Sequence, residues 1–145
     1  VMDYNADQAG SYSLSFMDVS MGPLTSGSDT DGGSIISDEI KTGQMQQGVD
    51  FDAFTFSGLA GNRVLITCVS TGGALNTNLL LYPPGGGTAV TYSSGTDYLD
   101  VQLPVTGPYT IVVDDIGYDS PGNYTLSMNN VTAGPFTGAD PDGNP

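Results

Sequence analysis

Gly122-Asn123-Tyr124-Thr125-Leu126-Ser127-Met128 alternates polar with apolar side chains, and Gly10-Ser11-Tyr12-Ser13-Leu14-Ser15-Phe16 does the same in the same order. A period of two marks a β-strand with one buried face, because successive side chains leave the backbone on opposite sides. Tyr12, Leu14 and Phe16, like Tyr124, Leu126 and Met128, are the expected buried faces. Many strands alternate; few share their punctuation. Laid without a gap on residues 113–137, residues 1–25 are identical at eleven positions, among them Asp3, Asp7, Gly10, Val19, Gly22 and Pro23. One deletion extends the match, pairing Gly27, Asp29, Asp31 and Gly32 with Gly138, Asp140, Asp142 and Gly143. Residue 113 thus falls on residue 1, a tandem period of about 112 residues.

The same periodicity continues outward from these two copies. Strands are predicted at 11–19, 51–56, 63–69, 78–82, 89–92, 98–103, 109–114 and 123–131. Phe54 and Phe56, then Leu99, Val101 and Leu103, then Tyr109, Ile111 and Val113 form the inward faces. Glycine (21) and proline (9) fall between these runs, as in Pro83-Pro84-Gly85-Gly86-Gly87 and at 117–122, which is the distribution of turns and not of a disordered tract. No segment carries a helical stripe. About eight short strands with tight turns predict an all-β, antiparallel, jelly-roll-like β-sandwich.

Charge narrows the function. Sixteen acids face only Lys41 and Arg63, a net charge of −14. Nucleic-acid binding requires cations against phosphates, so that class is excluded, and anionic membrane surfaces are disfavoured likewise. No apolar run approaches the ~18–20 residues that cross a bilayer, so membrane insertion is not expected. The chain contains no histidine, which removes Ser-His and Cys-His dyads and His-based zinc sites. Cys68, the one cysteine, lies in an apolar run and reads as a small buried hydrophobe. With no active constellation in view, the chain is read as not an enzyme. Glu39 is the only glutamate; the other 15 acids are aspartates, the short oxygen ligands that hard cations take in Gly-rich loops.

The duplication divides the chain. Residues 1–20 read as the terminal strand of a preceding repeat, 21–33 as an acidic linker, 34–131 as the sandwich, and 132–145 as the linker to the next repeat. The start at Val1 suggests a processed or excised piece of a longer product. An amphipathic strand needs a sheet for its apolar face and its backbone alike. A preceding repeat or a neighbouring copy would supply that sheet, the second by strand addition.

Residues 34–131 resemble the bacterial pre-peptidase C-terminal (PPC) domain family. The resemblance rests on Asp50-Phe51-Asp52-Ala53-Phe54-Thr55-Phe56, on Ala60-Gly61 leading into 64–69, and on Leu79-Leu80-Leu81-Tyr82-Pro83-Pro84-Gly85. It continues in Gly107-Pro108-Tyr109-Thr110-Ile111-Val112-Val113 and closes with Gly122-Asn123-Tyr124-Thr125-Leu126-Ser127. One departure is Asn78 with an extra Leu, where the family commonly has Asp before Leu-Tyr. The resemblance implies a jelly-roll-like sandwich and a non-catalytic accessory role in secreted proteins. In some members calcium lies between the acidic linker and the Asp-x-Asp strand, which implies Asp29, Asp31, Asp50 and Asp52 here, with Asp114 and Asp115 as further additions.

The residues themselves also point to Ca²⁺. Asp29-Thr30-Asp31-Gly32 alternates carboxylates before glycine, and Asp140-Pro141-Asp142-Gly143 repeats this where the next module would begin. A turn whose aspartates bond their own backbone is the competing reading of either loop. The expectation is therefore a secreted, extracellular or cell-surface repeat of a filament, stalk or adhesin, partnered by copies of itself. Its modules would join by strand complementation or covalent continuity, with calcium stiffening the junctions. The alternative is an accessory module of a secreted hydrolase that binds substrate or polymer.

Overall fold

The computed structural model describes residues 5, 9–20, 29–93 and 95–132. Its strands are β1 (Gly32–Ser34), β2 (Glu39–Met45), β3 (Asp52–Gly58), β4 (Arg63–Gly73), β5 (Thr77–Tyr82), β6 (Thr91–Tyr92), β7 (Tyr98–Gln102), β8 (Gly107–Asp115) and β9 (Gly122–Asn130). They form two sheets, β1-β3-β8-β5-β6 and β2-β9-β4-β7. All pairings are antiparallel except that of β1 with β3. Successive strands mostly alternate between the sheets, so the chain winds around one core. The predicted all-β sandwich is the observed fold, and no helix occurs among the described residues.

Alternation decides what enters that core. Phe54, Ile111 and Leu81 share one row of the five-stranded sheet, and Ile66, Met128 and Leu99 one row of the other. All six are nearly inaccessible to solvent. Each such side chain contributes about 1.5–3 kcal/mol of transfer free energy. Phe56 stacks on Tyr109 with ring centroids 5.5 Å apart. The Tyr109 hydroxyl donates to the Val105 carbonyl at 2.7 Å and accepts from the Val105 N–H at 3.1 Å. One buried tyrosine thus pins the turn that precedes its own strand. Cys68 is buried in the core, the place its apolar run predicts.

Two features depart from the sequence expectation. Strands β1 and β2 were not anticipated. In β2 the pattern is inverted, with Ile40 turned outward and Glu39, Lys41 and Gly43 on the half-covered inner side. It is a strand because β9 pairs with it along all seven residues, a non-local contact that outweighs a poor local pattern. Conversely, residues 11–18 form no strand. Tyr12, Leu14 and Phe16 are 68%, 77% and 89% exposed, whereas Tyr124, Leu126 and Met128 are at most 3% exposed. The physical reason is occupancy: β9 holds the position between β2 and β4 that suits this pattern.

Candidate metal centre

The pleat turns the Asp52 side chain at the start of β3 toward the core. Asp52 pairs with Val113, whose side chain is in the core, so Asp52 also points inward and is fully buried. Its Oδ2 accepts a hydrogen bond from the Tyr124 hydroxyl at 2.5 Å, a link from one sheet to the other. Its Oδ1 is buried without a hydrogen-bond partner. Burial pushes the Asp52 carboxyl up to about 8; the Tyr124 hydrogen bond opposes this, while Asp29, Asp50 and Asp31 add to it. The Tyr124 hydroxyl is raised in turn, by burial first and then by Asp52.

The tyrosine reaches Asp52 by crossing β2 at Gly43. A Cβ at that position would overlap the Tyr124 hydroxyl and the ring carbon bearing it. Glycine is therefore required for close approach, not for an unusual backbone angle.

Asp29 and Asp31 arrive from the extended segment that leads into β1. Asp31 N–H donates to Asp29 Oδ1 at 3.0 Å, and Gln44 N–H donates to Asp31 Oδ2 at 2.8 Å. Asp50 sits alongside, its Oδ2 accepting from Gln46 N–H at 2.9 Å and its Oδ1 from Phe51 N–H at 3.1 Å. Burial raises the Asp50 carboxyl, and the charge of Asp29 reinforces the shift. The outward N–H groups of Gln44 and Gln46, at the end of edge strand β2, thus terminate on site carboxylates. That blunts an edge open to pairing.

Ligand oxygens of Asp29, Asp31 and Asp52 lie within 4.8 Å of one another. Two oxygens bonded to one hard cation at about 2.4 Å can be no further apart than about 4.8 Å. Both cationic side chains are engaged elsewhere, Lys41 with Glu39 at 2.5 Å and Arg63 with Asp100 at 2.6 Å. Close carboxylates, an orphaned buried oxygen and no paired side-chain cation form a donor set that fits a divalent oxygen-seeking ion.

Of the predicted acids, the structure brings Asp29, Asp31 and Asp52 together with Asp50 beside them, and it separates Asp114 and Asp115 from them. Asp115 Oδ2 accepts from Asp119 N–H and Ser120 N–H, each at 3.0 Å, and its Oδ1 from Asn76 N–H at 2.9 Å. It clamps two loops through three backbone donors. Asp114 projects from the opposite face of β8; burial raises its carboxyl, opposed by hydrogen bonds to Asn78 and Tyr118. Asp140 and Asp142 lie outside the described residues. Tyr124, expected only as core, is a member of the site. A buried tyrosine needs a partner for its hydroxyl, and this was the available signal.

No family model and no curated protein matches this chain. Solved structures do share its fold. The periplasmic inhibitor of g-type lysozyme PliG from Aeromonas hydrophila superposes with a TM-score of 0.53 at 18% identity, covering 68% of this chain and 96% of that one. The PliG of Salmonella Typhimurium gives 0.53 at 16% identity, covering 68% and 97%. The pre-peptidase C-terminal domain of a Bacillus anthracis collagenase gives 0.54 at 16% identity, covering 68% and 95%. The class so defined is a PPC-like β-sandwich carrying an acidic cluster where its two sheets meet.

Proposed function

We propose that the chain is a non-catalytic structural repeat of a secreted, extracellular or cell-surface assembly, in which each module closes on a strand and passes the chain to the next across a calcium site. One observation carries the proposal: Tyr12, Leu14 and Phe16 are exposed, whereas their sequence counterparts Tyr124, Leu126 and Met128 are buried in the sandwich. The exposed copy has the pattern of a closing strand, and the sheet it fits is that of a preceding repeat. Calcium is proposed at Asp29, Asp31 and Asp52, with Asp50 in support, because the cluster lies where the linker enters the module. There the ion would tie linker to sandwich and replace mutual carboxylate repulsion with coordination.

The test is a tandem chain, the full 145 residues preceded by a second copy of residues 34–112. Residues 1–20 then follow residue 112, as residues 113–132 do in the repeat. The expected result is slow amide exchange over 11–17, matching 123–129; exchange as fast as in the single chain would overturn the strand role. Calcium is expected to raise the melting temperature and a chelator to lower it. No response to either would remove calcium from the proposal.

A second reading, an accessory module of a secreted hydrolase that binds substrate or polymer, draws on the fold it shares with a collagenase's PPC domain and with inhibitors that act on a protein. The domain order of the intact gene separates the two. Many copies without a catalytic domain support the repeat; one copy after a hydrolase supports the accessory module.

A further inference from the structure

Residues 11–14 are exposed on both faces, and from residue 15 onward the two sides part, with Phe16 exposed between half-buried neighbours. Ser15, Met17 and Val19 are half-buried against this module. Ser15 Oγ donates to the Val49 carbonyl at 2.5 Å, and Thr110 Oγ1 donates to the Val19 carbonyl at 3.3 Å. Thr110 stands on the outer face of the five-stranded sheet, since its neighbours Tyr109 and Ile111 are in the core. Thr110 and Val112 are each 4% exposed and Ala53 not at all, so the middle of this outer face is covered in the same chain, while Ser57 and Pro108 at its end are exposed.

The counterpart of Ser15 is Ser127, which lies on the outer face of the four-stranded sheet. Ile40, Ser127, Thr67 and Tyr98 form one row across all four of its strands; Thr42, Thr125 and Val69 form the next. Ile40, Val69 and Tyr98 are 60%, 44% and 54% exposed. A segment that presents Tyr12, Leu14 and Phe16 to the preceding core while Ser15 and Val19 touch this module must bring the outer face of that preceding sheet with it. We infer that the outer face of the four-stranded sheet, around Ile40, Val69 and Tyr98, docks on the outer face of the five-stranded sheet of the following copy. The inference rests on the closing-strand reading above and specifies how successive modules pack.

Charge supports this partner. One period of the repeat, residues 21–132, holds 11 acids against Lys41 and Arg63, a net charge of −9, so successive copies repel one another and approach best through neutral surfaces. Both cations of the chain are on the four-stranded sheet, Lys41 paired with Glu39 and Arg63 with Asp100. Among the outward positions of its strands Asp100 is the only acid, held by Arg63 through two hydrogen bonds of 2.6 and 2.7 Å. The receiving face is as sparing, with Asp114 its only strand acid and that side chain 1% exposed.

Thiol accessibility in the tandem chain tests the inference, since native Cys68 is buried. Single reporters Tyr98→Cys and, separately, Ile40→Cys are placed in the added copy, and Leu14→Cys in the junction. All three are expected to alkylate at least about tenfold more slowly than in the single chain, because alkylation requires solvent access to the thiol. Protection of Leu14→Cys with Tyr98→Cys and Ile40→Cys both as reactive as in the single chain would overturn the docking and leave the closing strand standing. A reactive Leu14→Cys would overturn the closing strand and the docking with it.

Discussion

The Tyr124 hydroxyl on β9 donates to Asp52 Oδ2 on β3 at 2.5 Å, joining the two sheets at the edge of the acidic cluster. The other Asp52 oxygen has no hydrogen-bond partner, so the bond from Tyr124 is what offsets the burial of the carboxyl group. Tyr124→Phe removes it. A hydrogen bond to a buried carboxyl group is worth about 1–3 kcal/mol, and metal-free stability in urea is expected to fall by that amount. A change below about 0.5 kcal/mol, the scatter of neutral surface substitutions, would contradict the assignment.

The Asp52 carboxyl, raised to about 8 by burial, predicts a sign for the pH dependence. Unfolded, it titrates near about 3.9. Between these values the folded state binds the extra proton, so the contribution of Asp52 is fully present below about pH 4 and is lost as pH rises toward 8. Metal-free protein is therefore expected to lose stability over that window relative to Asp52→Asn, whose site does not titrate. Saturating calcium should abolish the loss by holding the carboxylate ionised. Equal slopes for the two metal-free proteins would refute the assignment.

Gly43→Ala tests the tyrosine's path. The added methyl group occupies the space of the Tyr124 hydroxyl, so the ring must move away from Asp52. Overpacking of this kind costs about 1–3 kcal/mol. Combined with Tyr124→Phe, the two effects should be less than additive, because the phenylalanine no longer has to reach Asp52. A neutral Gly43→Ala would show that the tyrosine has another route.

Asp115 gives a contrasting expectation. Its carboxylate holds three backbone N–H groups from two loops, at 2.9 to 3.0 Å. Asp115→Ala leaves those donors unpaired at a fully buried position. Its cost is expected to be about 2–5 kcal/mol, larger than for Asp31→Ala without metal, and independent of calcium. Calcium-dependent stabilisation that vanished with Asp115 would return it to the metal site.

How much of this was legible beforehand depended on whether the controlling interaction was local. Phe54, Ile111, Leu126 and Met128 were assigned inward by alternation alone, and each is buried. Asp29 and Asp31 were visible as a loop motif, and Asp50 and Asp52 through the family resemblance. Their convergence requires β1 beside β3, which no local pattern in Gly32–Ser34 announces. Asp115 was indistinguishable from them in sequence, since a carboxylate that clamps N–H groups and one that faces other carboxylates are the same residue.

The two copies of the closing pattern show the same division. By itself the sequence determined that residues 10–16 and 122–128 have equal claims to be an amphipathic strand, because which side chains share a face depends on the backbone period alone. Tertiary structure decided that only the second enters the sandwich, as β9 between β2 and β4. A strand exists through hydrogen bonds to its neighbours, and one position between two strands admits one occupant.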